Sequence, residues 1–259
     1  MSLKINYLDQ KKKPNKNKAI FVNLDSKIST FEADSDDKTN QKIINFLKSN
    51  KNTKQNKIIS LNQDFDQKLI VILITEKNDE LKSEKLGAKF FDFTMRNEIK
   101  DIFIKSPSFE TSQKKYAINF NSFLHGAELK SYEFNLYKTS KKNKIVNFDI
   151  NKKDLSQKTK KLDAILKGVN YTRDLVSEPG NILHPDEYAK RLIKLKQIGL
   201  KVTVYDEKKL KQIGCNALLG VGQGSIKGSY LITMEWNGDK SKSKPLAFVG
   251  KGVCFDTGG

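Results

Sequence analysis

Over the first 150 positions, short runs of almost uninterrupted apolar residues alternate with segments of helical period. Lys18–Leu24 (KAIFVNL) and Lys68–Thr75 (KLIVILIT) are apolar and rich in β-branched residues, the pattern of strands covered on both faces. Between them, Thr39–Leu47 spaces Ile43, Ile44 and Leu47 along one helical face. Ile99–Ile104 predicts another strand, and Lys114–Leu129 a helix presenting Tyr116, Phe120, Phe123, Leu124 and Ala127. This alternation predicts an α/β layer fold. The Lys/Asn/Ser-rich stretches 11–17, 48–57 and 138–144 read as exposed loops, and no internal repeat is visible.

A second rhythm begins near residue 151. Lys152–Val176 is a long helical pattern with Leu155, Leu162, Ile165, Leu166, Val169 and Leu175 on one side, and Glu178-Pro179-Gly180 breaks it. His184-Pro185-Asp186-Glu187 places proline and acids where a helix's first turn takes them, and that helix is expected to run to about Ile198. Strands are expected at Lys201–Tyr205, Ala217–Gly222, Tyr230–Trp236 and Pro245–Val253, with a short helix at Glu207–Ile213. The expected organisation is two α/β lobes, an N-terminal domain over 1–150 and a second over 151–259, linked by a helix at about 155–175.

Composition narrows the class. The chain has 259 residues, 37% hydrophobic and 30% charged, as an ordinary if polar globular protein has. No apolar run approaches the roughly 20 residues of a membrane span, and the start, MSLKINYLDQKKK, lacks the apolar core of a secretory signal. Only Cys215 and Cys254 are present, which suits a reducing cytoplasm. The net charge of +18 raises a nucleic-acid partner. However, it is almost all lysine, spread among abundant Asn and Ile, and Arg occurs only at 96, 173 and 191. Phosphate and base recognition usually recruit the planar arginine fork, so a solvated surface is the better reading.

Three stretches carry candidate chemistry. In Asn216–Ser225 (NALLGVGQGS), Gly220, Gly222 and Gly224 suggest a phosphate loop, but the following segment reads as a strand rather than the helix a dinucleotide fingerprint needs. A tight backbone turn is the simpler reading. Near the end, Pro245–Val249 delivers Lys251 and Asp256 around Gly252. Asp256 is a hard oxygen ligand able to bridge two divalent ions; from pattern alone, a surface Lys–Asp pair beside a turn fits as well. The third stretch is Tyr171–Leu183, YTRDLVSEPGNIL.

Together these stretches resemble the leucyl aminopeptidase (cytosol aminopeptidase) family, whose catalytic half carries RDLVNEPGN, a GALLGVGQGS-like loop and VGKGVTFDTGG in that order. Arg173–Asn181, Ala217–Ser225 and Val249–Gly259 match nearly residue for residue. Gly126–Thr139 is also similar to the end of the family's N-terminal domain. The resemblance implies a macro-like N-terminal α/β domain followed by an incomplete α/β metallopeptidase domain. It implies an aminopeptidase that removes N-terminal, apolar residues from peptides using two divalent metal ions (Mn or Zn), as a homohexamer in the cytoplasm. Lys251 matches the lysine that binds one metal through a neutral amine, a state metal charge and burial must enforce. Asp256 matches the carboxylate that contacts both ions.

Against that pattern, the catalytic lysine and the NTDAEGR stretch bearing an Asp, a Glu and a catalytic Arg are expected beyond Gly259. No catalytic residue is therefore assigned within 1–259, and this chain is expected to be inactive by itself. The competing expectation is a non-catalytic binding or oligomerising chain with loose nucleic-acid affinity. Cys254 stands where the family has Thr and reads as a small buried residue. His184 replaces a capping Thr and reads as a poor cap. His125, on the apolar side of its helix, reads as structural, and Cys215 has nothing around it to suggest chemistry.

Overall fold

The structure is a computed structural model and describes residues 2–8, 17–31, 35–64, 66–108, 115–139, 144–151, 159–238 and 244–254. It divides into two compact units, Met1–Thr172 and Arg173–Gly259.

The first unit is built on a six-stranded sheet of order β1-β6-β5-β2-β4-β3. Its strands are β1 (Leu3–Leu8), β2 (Lys18–Asn23), β3 (Lys57–Asp64), β4 (Gln67–Ile74), β5 (Asp101–Ile104) and β6 (Val146–Asn151). All neighbours pair in parallel except β3, which runs antiparallel to β4 at one edge. The near-continuous apolar runs are explained by cover on both faces. Ala19 and Phe21 of β2 and Ile70, Ile72 and Ile74 of β4 enter one core, and Ile20, Val22, Leu69, Val71 and Leu73 enter the other. Period-two alternation sends successive side chains to opposite faces, and here both faces are apolar.

Helix α1 (Asp37–Ser49) covers the second face with Ile43 and Leu47. It starts where Asp36 accepts the Thr39 N–H at 2.6 Å, a side-chain N-cap. Helices α2 (Glu80–Arg96) and α3 (Phe120–Lys130) bring Leu86, Phe90, Phe91, Phe123, Leu124 and Ala127 to the first face, capped in the same way by Asp79 and Asn119. The two helices approach closely enough that a Cβ on Gly87 would lie 1.7 Å from the Phe123 carbonyl oxygen, and one on Gly126 would lie 1.8 Å from that of Glu84. Glycine is required at both positions. The expected helix from Lys114 begins later, at Phe120, because Asn119 caps it. Before that cap the chain is extended, and the Ala117 carbonyl accepts the Asn78 N–H at 2.8 Å. Helix α4 (Thr159–Ser177) occupies the described part of the expected 152–176 helix, burying Leu166 while Ile165 stays exposed; Leu155 lies outside the described residues.

In the second unit, α5 (Pro185–Ile193) leads through a 3-10 turn, Lys194–Ile198, to Gly199 in the left-handed region at φ 95°. Strand β7 (Lys201–Tyr205) pairs antiparallel with β8 (Leu231–Glu235) in a two-stranded sheet, and α6 (Glu207–Gln212) and α7 (Asn216–Gly222) lie between them in the chain.

Two expected strands of this unit are corrected. Ala217–Gly222 is helical, because no neighbouring strand is available among the described residues and its backbone polar groups turn inward, as Leu219 N–H does to Cys215 at 3.2 Å. Pro245–Val253 has strand composition but forms no strand with the described residues. An apolar run without a ladder partner leaves its backbone to solvent, and Leu246, Phe248 and Val249 are 80%, 89% and 99% exposed.

Candidate functional site

The sequence placed its candidate chemistry at Lys251 and Asp256. Asp256 lies outside the described residues, so its position relative to Lys251 is not described either. Lys251 is exposed on the irregular 244–254 segment, with no ion-pair partner among the described residues. Immediately after it the chain bends, and the Val253 N–H donates to the Lys251 carbonyl at 3.1 Å. Gly252 is seated against α5: a Cβ added there would stand 3.1 Å from Cε1 of Tyr188. Among the described residues no group of three or more His, Cys, Asp or Glu is placed to hold a metal ion. What they offer a cation is one accessible amine with no competing carboxylate, which fits a single donor of a larger set.

The SEPG motif proves to have a structural component. The Glu178 side chain is 4% exposed and accepts from Nη1 of Arg191 at 2.8 Å, while Nε of the same arginine donates to Glu187 at 3.0 Å. Hydrogen bonding to Glu178, then to Glu187, raises the Arg191 pKa further. A planar guanidinium can serve both carboxylates at once, and it binds the end of α4 to α5.

The glycine-rich stretch is also explained. Gly220 and Gly222 lie in α7, and just after it the Ser225 N–H donates to the Gly222 carbonyl at 2.9 Å; the contacts with carboxylates belong to the residues that follow. The Ser229 N–H donates to Glu207 at 3.0 Å, and Gly228 donates to Asp186. Gly222 lies against Ser229, since a Cβ there would meet Oγ at 1.9 Å. Asp186 further accepts from the Tyr230 hydroxyl at 2.7 Å and lies 3.8 Å from the Lys227 amine. The Tyr230 bond, more than any other contact, holds the Asp186 carboxyl below its usual range, and the same bond pushes Tyr230 up to about 12. The tight turn expected at the glycines is therefore corrected to a short helix through Gly222, and the segment tied to Glu207 and Asp186 is 228–230, after it.

His184 is the N-cap residue of α5 but makes no side-chain capping bond, as expected of a poor cap. Its Nδ1 is 3.5 Å from Asp186. Cys254 is partly buried, which raises its thiol pKa. His125 is 3% exposed with Nδ1 unpaired among the described residues; burial lowers its pKa, so the structural reading stands. Sequence reasoning missed Tyr188, Asp186 and Tyr230. Asp186 was noted only as a first-turn acid, and nothing local in the sequence links it to a tyrosine 44 positions away.

Residues 170–259 match the catalytic-domain model of the cytosol aminopeptidase family. A probable cytosol aminopeptidase of Phytoplasma mali is 45% identical over 148 residues, covering 53% of this chain and 30% of that protein. One from Rhizobium etli is 42% identical over 167 residues, covering 61% and 33% respectively. This chain therefore spans about a third of the length of these relatives. Among solved structures, a mutant of tomato leucine aminopeptidase is similar in fold, with a TM-score of 0.69 and 18% identity over 99% of this chain and 55% of that one. The bottromycin maturation enzyme BotP in complex with Mn gives a TM-score of 0.55 at 14% identity.

Proposed function

We propose that this chain, whose residues 170–259 match the catalytic-domain model of the cytosol aminopeptidase family, supplies the N-terminal domain and the first metal-binding segment of an aminopeptidase acting on peptides. The observation that carries this reading is the match of residues 170–259 to one catalytic-domain model, a range that holds RDLVSEPGN, ALLGVGQGS and VGKGVCFDTGG in that order. The N-terminal domain in this reading ends near residue 150, and α4 is the connector.

Lys251 and Asp256 are the residues that would hold divalent metal. Two such ions, Mn or Zn, would polarise the scissile carbonyl and activate water. Lys251 is exposed and without an ion-pair partner among the described residues, so its amine is available as a nitrogen donor. A neutral amine is required for that role, and a nearby cation favours it by penalising the ammonium form. In this reading the general base and the guanidinium that meets the developing oxyanion come from other parts of the catalytic domain. Peptide hydrolysis in this reading needs the remaining catalytic-domain sequence that the longer relatives carry.

The surface agrees with that requirement. Leu246, Phe248 and Val249, together with Ile226 at 99% and Trp236 at 68% exposure, form apolar surface in one unit. Exposed apolar residues close together in the chain, as Leu246, Phe248 and Val249 are, support a reading in which more protein packs there. The same reading extends to a cytoplasmic location and a homohexameric assembly.

The test is hydrolysis of leucinamide by the purified 259-residue chain with and without Mn²⁺ or Zn²⁺. No turnover above buffer is expected. Chelator-sensitive turnover by that preparation would show a more complete site than is proposed.

A further inference from the structure

Among the described residues the 244–254 segment has no strand partner, yet Gly252, next to Lys251, meets α5. That helix is well placed to act as a fixed support. Pro185 starts it with a pre-set φ. Ala189 and Leu192 are buried along one side. Arg191 ties it to Glu178, and Asp186 ties its first turn to Gly228, Lys227 and Tyr230. Tyr188 sits between these two anchors, half-buried. Its ring edge receives Gly252, with an added Cβ 3.1 Å from Cε1. No hydrogen bond of the Tyr188 hydroxyl is found among the described residues, so the contact is made by the ring.

We propose that Tyr188 is a positioning residue for Lys251: its ring seats Gly252 and so fixes where the neighbouring amine is presented. This rests on the reading of Lys251 as a metal ligand. The glycine at 252 has a physical reason on this view, because an added Cβ would stand 3.1 Å from Cε1 and press on the ring, which would have to shift by a few tenths of an ångström. A ligand carried on a strandless, solvent-exposed segment loses conformational freedom on binding metal. A seat that restricts the segment beforehand lowers that cost. Phenylalanine would serve as well as tyrosine; a small residue would not.

The experiment uses the whole 259-residue chain labelled with [¹⁵N]glycine, which gives 15 glycine amides, and assigns Gly252 by its loss in Gly252→Ala. In the parent chain, the Gly252 resonance is expected to be shifted by the Tyr188 ring and to move on titration with Zn²⁺. Tyr188→Phe should keep both effects. Tyr188→Ala should lose the ring shift and weaken the Zn²⁺ affinity read at Gly252 by about tenfold or more. A preserved spectrum elsewhere in Tyr188→Ala controls for unfolding. Equal Zn²⁺ affinity in all three chains would overturn the positioning role while leaving Lys251 as a ligand. Absence of any Zn²⁺ response at Gly252 in the parent, with the ring shift present, would overturn the ligand reading and the positioning role with it.

Discussion

Replacing Gly126 by alanine should destabilise the first unit, whereas the same change at Gly168 should stabilise it. At Gly126 the new Cβ would fall 1.8 Å from the Glu84 carbonyl oxygen, 2.5 Å from its carbon and 2.8 Å from its Cα. All three are backbone atoms of α2, so no rotamer change relieves the overlap, and the helices must part by roughly 1 Å or more to reach van der Waals separation. Parting them disturbs the aromatic packing between these helices and the sheet, where Phe123 lies 5.4 Å from Phe90 and 5.2 Å from Phe21 by ring centroid. Overpacking of this kind costs about 1–3 kcal/mol or more, offset by the ~1 kcal/mol gained on removing a glycine from a helix. A net loss of about 1 kcal/mol or more follows, a sizeable part of the ~5–15 kcal/mol that holds a domain together. Gly168 lies within α4 with nothing within 4 Å of an added Cβ, so there only the helix-propensity gain remains, about 0.5–1 kcal/mol. Urea unfolding followed by far-ultraviolet circular dichroism reads both. A Gly126→Ala chain within about 0.5 kcal/mol of the parent would refute the close-crossing argument.

Glu128, at the end of α3, has its pKa raised to about 7 by burial and then by Asp163. A carboxyl with a raised folded pKa binds more protons folded than unfolded, so stability falls as pH climbs from about 4.5 to 7. Glu128→Gln should therefore stabilise by roughly 1–3 kcal/mol at pH 8 and not at pH 4; an equal effect at both would contradict the assignment. Glu98 follows α2 at φ 53°, where glycine is at ease, so Glu98→Gly should gain about 0.5 kcal/mol in a urea midpoint despite losing the exposed Lys144 pair, and a clear loss would argue against it. Arg191→Lys cannot serve Glu178 and Glu187 together, and partial loss of cover for the buried Glu178 should cost about 1–3 kcal/mol, followed through Trp236, the single tryptophan, which packs on Gly199. An unchanged midpoint would show that lysine suffices.

How much was legible depended on whether the signal was local. Strands β2 and β4 announce themselves because both faces are buried, and α1 because Ile43 and Leu47 keep helical spacing. The edge strand β1 has the mixed burial of LKINYL, and it pairs with β6 across 143 positions, Leu3 beside Val146, which no short window contains. Helix α2 was overlooked because lysines interrupt its Leu86, Phe90 and Phe91 stripe. Apolar composition overstated the strand at Pro245–Val253, since a strand is defined by its neighbour as well as by its residues. At the site, order and spacing pointed to Lys251, whereas the contacts that frame it, Gly252 on Tyr188 and Asp186 on Tyr230, join residues 64 and 44 positions apart in chain number.

The central claim is that residues 170–259 are working catalytic-domain sequence with Lys251 as a metal ligand. The direct measurement is leucinamide hydrolysis by residues 1–259 joined to the remaining catalytic-domain sequence of the Phytoplasma mali relative, with and without Lys251→Met. Metal-dependent, chelator-sensitive turnover that falls by about three orders of magnitude in Lys251→Met is the predicted result, as expected when a group that stabilises the transition state is removed. A folded, active chimera whose rate and metal dependence are unchanged by Lys251→Met would contradict it.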